Sequence, residues 1–407
     1  PVREQDEAIG HAVRAVYLYS GMADVARATQ DESLLKACET LWNNMVHQKM
    51  YVTGGIGATH IGEAFSFNYD LPNDTAYAET CASIGLVFFA RRMLEIQAKA
   101  EYADVMELAL YNGVLSGMAL DGKSFFYVNP LEVLPEACHK DERKFHVKPI
   151  RQKWFGCACC PPNIARLLSS LAMYAYTENE DTLFAHLFVG GSVKKDVNGK
   201  ELSFEVTTDM PWQGTTVYSC TNEQSVHGSL AIRIPEWSRS FKVSGVTGEL
   251  DENSAQLRDG YLYITHDWKK GDTVRIELSM EPEFIAANSE VREDINKTAL
   301  RRGPFIYCLE EADNGTDLHT LSVCAAAKPE TVMLNIAGTD VAALRIDGKK
   351  LINVCDSPDV DAETKTAPLY TTLKKPEYKD VKLTYVPYYA WNNRGEGEMS
   401  VWVNYIL

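Results

Sequence analysis

Two adjacent cysteines, Cys159 and Cys160, and the triplet from Glu79 to Cys81 are the residues of this chain best suited to chemistry. Three thiols and one carboxylate form a donor set that suits a soft divalent cation such as zinc, if the fold brings the two segments together. Two prolines follow the cysteine pair, and the apolar residues after them keep helical spacing, which predicts a helix start. Both sulfurs would then lie at a helix N-terminus, where the thiolate form is favoured.

The same cysteines allow other interpretations. Structural zinc usually has two Cys-x-x-Cys pairs or a mixture of Cys and His, and the spacing here is neither. Free cysteines are among the most buried residue types, so unligated buried thiols are the main alternative to a metal site. A disulfide between Cys159 and Cys160 is disfavoured because adjacent cysteines form strained bridges. A metal-bound thiolate could itself be either a passive ligand or a nucleophile.

Further candidates lie in residues 53–74, a segment rich in Gly, Asp and Asn that interrupts the helical pattern. A polar loop of this length inside a compact domain is usually functional. Glu63 could act there as a general acid, and a solvated loop carboxylate is the alternative. Asp70 and Asp74 are weaker candidates, because the residues around them predict a turn and an N-cap before a helix at 76–81.

Two polar residues, His11 and Tyr127, lie in apolar surroundings. His11 is predicted on an otherwise apolar helix face, and Tyr127 lies in an aromatic, strand-like run. A buried histidine with satisfied hydrogen bonds and a packed tyrosine are the default interpretations. The nearby Gly-Gly-Ile-Gly sequence lacks the spacing and the strand-to-helix context of a phosphate-binding loop, so no nucleotide cofactor is predicted.

Composition and charge limit the classes of partner. The formal net charge of -16 disfavours nucleic acid and anionic membranes. Neutral ligands such as sugars remain open, since 7 Trp and 20 Tyr supply flat faces, although most of these will be core residues. No apolar stretch approaches a membrane span, and no signal peptide opens the chain. Six cysteines are scattered without framework spacing, which favours a reducing, cytoplasmic location: Cys38, Cys138, Cys220, Cys308, Cys324 and Cys355.

The hydrophobic spacing divides the chain of 407 residues into regions. Apolar residues recur with helical spacing up to about residue 180, and beyond it they alternate between Gly, Asp and Pro turns. We therefore predict an α-domain at 1–180, a β-sandwich at 181–290 and a second β-rich domain at 291–407, whose end could return to the first sandwich. The predicted helices are too few to close an α/α toroid, so we expect that the sequence begins partway through a larger domain.

A resemblance to a known family is carried by five segments: residues 54–65, 69–82, 126–132, 159–163 and 391–395. They resemble the β-L-arabinofuranosidases of glycoside hydrolase family 127, and the combination of Glu-Thr-Cys with Cys-Cys-Pro-Pro-Asn is highly specific. The resemblance implies part of an α/α barrel followed by β-sandwich domains. It also implies release of L-arabinose, with retained configuration, from arabinofuranosyl disaccharides or hydroxyproline-linked oligosaccharides.

The resemblance also assigns roles to individual residues. A zinc ion would be held by one glutamate and three cysteines: Glu79, Cys81, Cys159 and Cys160. Cys159 would be the nucleophile and Glu63 the acid/base, while His11 and Tyr127 would line the sugar pocket. Family members carry roughly the first half of the barrel before the position of Pro1, together with further sugar-contacting residues.

Two other functions remain open from the sequence. One is a non-catalytic sugar-binding protein whose Cys3Glu zinc site is structural and closed to solvent. The other is an ordinary carboxylate glycosidase that uses Glu63 with Asp70 or Asp74. The sequence leaves a homodimer open and does not identify the linkage or the aglycone.

Overall fold

The chain places helices first and strands second, as its hydrophobic spacing predicts. A computed structural model describes residues 1–245, 255–353, 369–370, 372–373 and 375–406, so Cys355 lies outside the described residues. The α-helices are α1 (Ala12–Thr29), α2 (Glu32–Gln48), α3 (Thr80–Ile96), α4 (Ala100–Leu108), α5 (Pro135–Lys140), α6 (Cys160–Ser169), α7 (Ala172–Ala175) and α8 (Glu311–Asn314). None of these helices combines the length and the apolar character needed to cross a membrane.

The strands nearly all follow the helical region. The first eleven are β1 (Glu132–Val133), β2 (Tyr176–Glu178), β3 (Thr182–Ala185), β4 (Gly191–Val197), β5 (Lys200–Thr208), β6 (Thr215–Cys220), β7 (Val226–Arg233), β8 (Phe241–Gly245), β9 (Ala255–Arg258), β10 (Tyr261–Trp268) and β11 (Thr273–Leu278). The others are β12 (Glu283–Ile285), β13 (Lys297–Arg302), β14 (Phe305–Glu310), β15 (Leu321–Cys324), β16 (Glu330–Ile336), β17 (Thr339–Asn353), β18 (Glu377–Pro387), β19 (Met399–Ser400) and β20 (Val403–Ile406).

Helices α1, α2, α3 and α4 contribute to a shared apolar core. Local signals explain their boundaries: Asp31 caps α2 by accepting a hydrogen bond of 3.0 Å from the Leu34 backbone N–H. A π-helical segment, Ala109–Val114, continues α4. Its backbone touches the glycine-rich loop at Gly54, where φ is +73° and an added Cβ would lie 2.7 Å from Ala109 Cα. Only glycine fits this turn without displacing the helix.

Two sheets of a sandwich follow the helices. Within the described residues, one sheet has the order β2-β3-β7-β10-β9 and the other the order β4-β5-β6-β11-β8. Inward-facing residues of both sheets form a single apolar cluster that includes Leu202, Ile264 and Trp268. The alternating burial along β11 shows why this stretch has the two-residue period of a strand with one buried face.

The remaining strands form one large sheet. In the described part of the chain its order is β1-β19-β14-β18-β17-β15-β20-β13-β12, with β16 paired to β17. The structure places β12 in this sheet, so the second β-rich region begins before residue 290. The end of the chain pairs with β13 and β15 in the same sheet, whereas the sequence left open a return to the first sandwich. The short β1 joins the helical region to this sheet through β19.

Candidate active site and metal centre

The two motifs that were candidates for metal binding come together in space. One donor atom from each of Glu79, Cys81, Cys159 and Cys160 lies within 4.8 Å of the other three. The Sγ atom of Cys160 is 3.6 Å from that of Cys81 and 3.8 Å from that of Cys159. The Cys159 Sγ is 3.5 Å from Glu79 Oε1. Three sulfurs and one carboxylate oxygen therefore form a compact donor set that could hold a metal ion.

Two helix N-termini position this donor set. Glu79 directly precedes α3 and Cys81 lies in its first turn. Cys159 directly precedes α6 and Cys160 is its first residue. The predicted helix start at the two prolines is therefore confirmed. Since the N-terminus of a helix carries a partial positive charge, both helices favour ionised sulfur at the centre.

The helix predicted at 76–81 is wrong. The structure begins α3 at Thr80, and the residues before it follow an irregular path. Asp74 is therefore not an N-cap, and it forms an ion pair with Lys144.

The thiols of the centre differ in exposure and in pKa. Cys81 and Cys160 are only 3% and 0% exposed, whereas Cys159 is half-buried and faces a cleft. Hydrogen bonds from the Cys160 and Cys81 thiols hold the pKa of Cys159 well below its ordinary value. Burial, with the nearby Cys159 and Glu63, raises the pKa of Glu79 to about 8 in the absence of a metal ion. Cys159 is therefore the sulfur that combines negative charge with access.

Glu63 lies beside His11 at the same centre. It ends a short 3₁₀ turn, Ile61–Glu63, and has the left-handed φ of 52°, a conformation that non-glycine residues rarely adopt. His11 Nε2 is 2.8 Å from Glu63 Oε2. The expectation that His11 sits on an apolar helix face is wrong: it is the residue before α1, and its backbone pairs with that of Ala64.

Tyr127 contributes a hydroxyl to the centre, so it is not simply a packing residue. The Tyr127 hydroxyl oxygen lies 3.4 Å from Cys159 Sγ. The backbone fixes this position, since Tyr127 O accepts a hydrogen bond of 3.0 Å from Thr80 N–H at the start of α3. Its neighbour Val128 also pairs with Glu79 in an isolated antiparallel bridge. Backbone pairing between residues 127–128 and 79–80 therefore holds Tyr127 next to Glu79.

An open cleft of about 600 Å³ connects these residues to solvent. Six of the predicted site residues line it: His11, Glu63, Glu79, Cys81, Tyr127 and Cys159. Seven further residues line the cleft and were not predicted from the sequence: Val13, Arg14, Tyr17, Cys157, Pro162, Asn163 and Arg166. The weaker acid candidates, Asp70 and Asp74, are not part of this lining.

A signal for part of this wall was present in the sequence. His11, Arg14 and Tyr17 follow one another at spacings of three residues, and so do Asn163 and Arg166. Residues three apart share one side of a helix. The structure brings the two sets together, since Arg166 Nη2 donates a hydrogen bond of 2.6 Å to the Tyr17 hydroxyl. Such spacing is typical of a polar helix face, but it does not show that α1 and α6 face the same cleft.

Comparison with known proteins identifies the family of the whole chain. Residues 1–173 match the "Beta-L-arabinofuranosidase, GH127 catalytic domain". Residues 182–280 match the GH127 middle domain, and residues 282–404 match the glycoside hydrolase family 127 C-terminal domain. The chain belongs to glycoside hydrolase family 127.

Individual relatives support this assignment. The chain is 41% identical over 412 residues to the non-reducing end beta-L-arabinofuranosidase of Bifidobacterium longum subsp. longum, with 98% of this chain and 60% of that protein covered. It also superimposes on a GH127 beta-L-arabinofuranosidase from Geobacillus stearothermophilus T6, with 46% identity and a TM-score of 0.93 over 100% of this chain and 62% of that one. A second solved GH127 beta-arabinofuranosidase is 38% identical, with a TM-score of 0.87 over 100% and 62% of the two chains. The chain therefore spans about three fifths of the length of these relatives.

Proposed function

We propose that this chain carries the catalytic centre of a retaining glycoside hydrolase that releases L-arabinose from β-L-arabinofuranosides. The observation that carries the proposal is the cleft itself: its lining includes Cys159, the most accessible sulfur of the thiol cluster, together with the carboxyl group of Glu63. A retaining glycosidase needs a nucleophile and an acid/base on opposite sides of one bond. In this proposal a thiolate takes the place of the usual second carboxylate.

The donor distances support zinc as the metal. A tetrahedral zinc ion with bonds of about 2.3 Å to sulfur and about 2.0 Å to oxygen requires sulfurs about 3.8 Å apart and a sulfur to oxygen distance of about 3.5 Å. The two short sulfur contacts of 3.6 and 3.8 Å and the oxygen contact of 3.5 Å fit these edges. Glu79, Cys81, Cys159 and Cys160 would hold the ion, which, when bound, would keep the Cys159 sulfur ionised near neutral pH.

The protein residues would then carry out two displacements. Glu63 would donate its proton to the glycosidic oxygen while Cys159 Sγ attacks the anomeric carbon, so that a carbon–sulfur bond forms as the carbon–oxygen bond breaks. The Glu63 carboxylate would next take a proton from water, whose oxygen displaces the sulfur and regenerates the Cys159 thiolate. Two inversions at one carbon give net retention.

His11 and Tyr127 are proposed to line the sugar pocket. His11 Nε2 lies 2.8 Å from Glu63, and the Tyr127 hydroxyl lies 3.4 Å from Cys159 Sγ, so each touches one of the two reacting groups. A sugar between Glu63 and Cys159 would therefore meet both. The helical part would be a portion of an α/α barrel, and the substrates would be small carbohydrates such as arabinofuranosyl disaccharides or hydroxyproline-linked oligosaccharides.

The decisive experiment compares three variants on two substrates. Cys159→Ser should abolish turnover of a β-L-arabinofuranosyl disaccharide, while Cys138→Ser, which alters an equally half-buried thiol outside the cleft, should retain it. Glu63→Gln should slow the disaccharide far more than an activated aryl arabinofuranoside, since only a poor leaving group needs protonation. A chemical label derived from substrate should be found on Cys159 by mass spectrometry.

Each competing function predicts a different result. Full turnover by Cys159→Ser would refute the thiolate mechanism, and a label on a carboxylate would identify an ordinary carboxylate glycosidase. Binding of arabinofuranosides without turnover by the unsubstituted protein would indicate a sugar-binding protein with a structural metal site. Equal losses on both substrates in Glu63→Gln would show that Glu63 is not the general acid.

A further inference from the structure

A second group of potential metal ligands lies beside the thiol cluster. One donor atom from each of His11, Glu63 and Glu79 lies within 4.8 Å of the other two. These residues come from three separate segments: the start of α1, the 3₁₀ turn of the glycine-rich loop and the start of α3. An imidazole and two carboxylates form a donor set that suits borderline divalent ions such as zinc, cobalt or nickel.

We propose that this group is a second, weaker divalent-cation site, which shares Glu79 with the Cys3Glu centre. A carboxylate has two oxygens, so Glu79 can face both ions, as carboxylates do in two-metal centres. The ligands of the second ion would be His11 Nε2, a Glu63 oxygen and a Glu79 oxygen, and the open cleft would supply water for its remaining positions.

The charges around the two sites favour a second cation. When ionised, Glu63, Glu79 and the three cysteines carry five negative charges, and one divalent ion at the thiol cluster leaves three of them uncompensated. Two arginines, Arg14 and Arg166, line the cleft, and the second faces neutral partners: Arg166 Nη2 donates to the Tyr17 hydroxyl and to Asn163 Oδ1, each at 2.6 Å. Within the described residues Arg166 therefore forms no ion pair with Glu63 or Glu79.

The surroundings of His11 indicate why this second site would be the weaker one. To bind a cation, His11 must present the Nε2 lone pair and carry its proton on Nδ1, and the present contact of 2.8 Å to Glu63 must be replaced. Within the described residues His11 Nδ1 is buried and has no hydrogen-bond partner. Metal-binding histidines normally have such a partner, and its loss typically weakens metal binding by about 10- to 100-fold.

An ion at this site would act as an inhibitor. It would bind the Glu63 carboxylate that donates the proton to the leaving group, so the acid would be unavailable as long as the ion stays bound. This consequence, unlike the binding itself, rests on the proposed function. Excess divalent metal is therefore expected to inhibit an enzyme that already holds one ion at its thiol cluster.

The test is a titration of the metal-free, full-length protein with Co²⁺ alone, followed by metal analysis and absorption spectroscopy. The first equivalent should give an intense thiolate-to-cobalt band, and the second should give only weak bands of a nitrogen and oxygen site. His11→Ala should bind the first ion normally and weaken the second by about ten-fold or more. His60→Ala is the matched control: His60 stacks on His146 with ring centroids 4.5 Å apart, and it belongs to neither donor group.

The outcomes separate the two proposals. Saturation of the unsubstituted protein at one ion, or equal weakening by His11→Ala and His60→Ala, would overturn the second site and leave the proposed function intact. A normal second site in a protein that has no arabinofuranosidase activity would overturn the proposed function and leave the second site intact. Retention of the thiolate band in both variants shows that the loss of the second ion does not come from misfolding.

Discussion

Replacing Asp294 by asparagine is expected to stabilise the protein, and more strongly at alkaline pH. Asp294 ends a short turn, Arg292–Asp294, and its buried carboxylate accepts a hydrogen bond of 2.7 Å from Asn73 Nδ2. Asn73 lies in the loop that leads to Glu79, so the contact ties this loop to the C-terminal part of the chain. Among the described residues Asn73 Oδ1 is buried without a partner. In the Asp294→Asn variant the new amide N–H can donate to it while the present bond is kept.

The size of the effect follows from the pKa of Asp294. Burial raises this pKa from its ordinary value of 3.8 to about 6, against the hydrogen bond from Asn73, which lowers it. The folded protein therefore holds the proton more tightly than the unfolded chain, and the stabilisation present at low pH is lost as the pH rises from 3.8 to about 6. At about 1.4 kcal/mol per pH unit, Asp294 lowers the free energy of unfolding by about 1.6 kcal/mol at pH 5 and about 3 kcal/mol at pH 8.

Urea unfolding at the two pH values, followed by tryptophan fluorescence, measures this difference. The gain of Asp294→Asn over the unsubstituted protein should be larger at pH 8 than at pH 5 by about 1.4 kcal/mol. Glu293→Gln is the control, because it removes an exposed carboxylate from the same turn and should change stability by less than about 0.5 kcal/mol. A gain that is equal at both pH values, or a loss at pH 8, would refute the assignment of a buried carboxyl group with a raised pKa.

Three further predictions concern the domain junction and the site. Arg233→Met should lower the free energy of unfolding by about 3–5 kcal/mol in urea titrations, because the fully buried guanidinium pairs with two carboxylates of α4 that would be left unpaired; a smaller loss than about 1 kcal/mol would contradict this. Tyr127→Phe should lower kcat by about 10- to 100-fold, the equivalent of one hydrogen bond to a charged sulfur, and an unchanged kcat would rule that bond out. Chelation should increase the reaction of the half-buried Cys159 with iodoacetamide in peptide mapping, whereas the exposed Cys157 should react to the same extent with and without metal; unchanged labelling of Cys159 after chelation would argue against metal ligation.

The candidate metal centre could be predicted from the sequence because its parts are local. Glu79 and Cys81 lie within one turn of each other, as do Cys159 and Cys160, so a single long-range contact between α3 and α6 completes the donor set. The helix start at Cys160 is also a local property, since proline fits the first turn of a helix and not its interior. Residue type and spacing carry such information directly.

The placement of Glu63 beside His11 could not be predicted in this way. The contact depends on an antiparallel bridge between the His11 and Ala64 backbones, two segments far apart in sequence, and on the left-handed φ of Glu63. Neither spacing nor residue preference specifies that pairing. The start of α3 was mispredicted for a related reason: Asp74 has the residue type of an N-cap, and only the tertiary position of Lys144 shows that it does something else.

Residues 391–395, which are distant in sequence from the site, contact the residues next to Tyr127. The Trp391 ring stacks on Phe126, with centroids 4.8 Å apart, and Asn392 Oδ1 accepts a hydrogen bond of 2.9 Å from the Arg151 backbone N–H. The Arg151 guanidinium lies beside this stack, 4.6 Å from the Phe126 ring centroid and 5.9 Å from that of Trp391, and donates to the Trp391 carbonyl. Phe126 directly precedes Tyr127, whose hydroxyl touches the Cys159 sulfur.

This arrangement gives a physical reason for joining the β-rich regions to the helical one. The Tyr127 backbone accepts a hydrogen bond from the start of α3, and its neighbour Phe126 packs in the cluster with Arg151 and Trp391. A catalytic group is positioned well only when the elements behind it are themselves rigid. The segment between β18 and β19 therefore does more than connect two strands, because its Trp391 packs against the neighbour of Tyr127, the residue beside the proposed nucleophile.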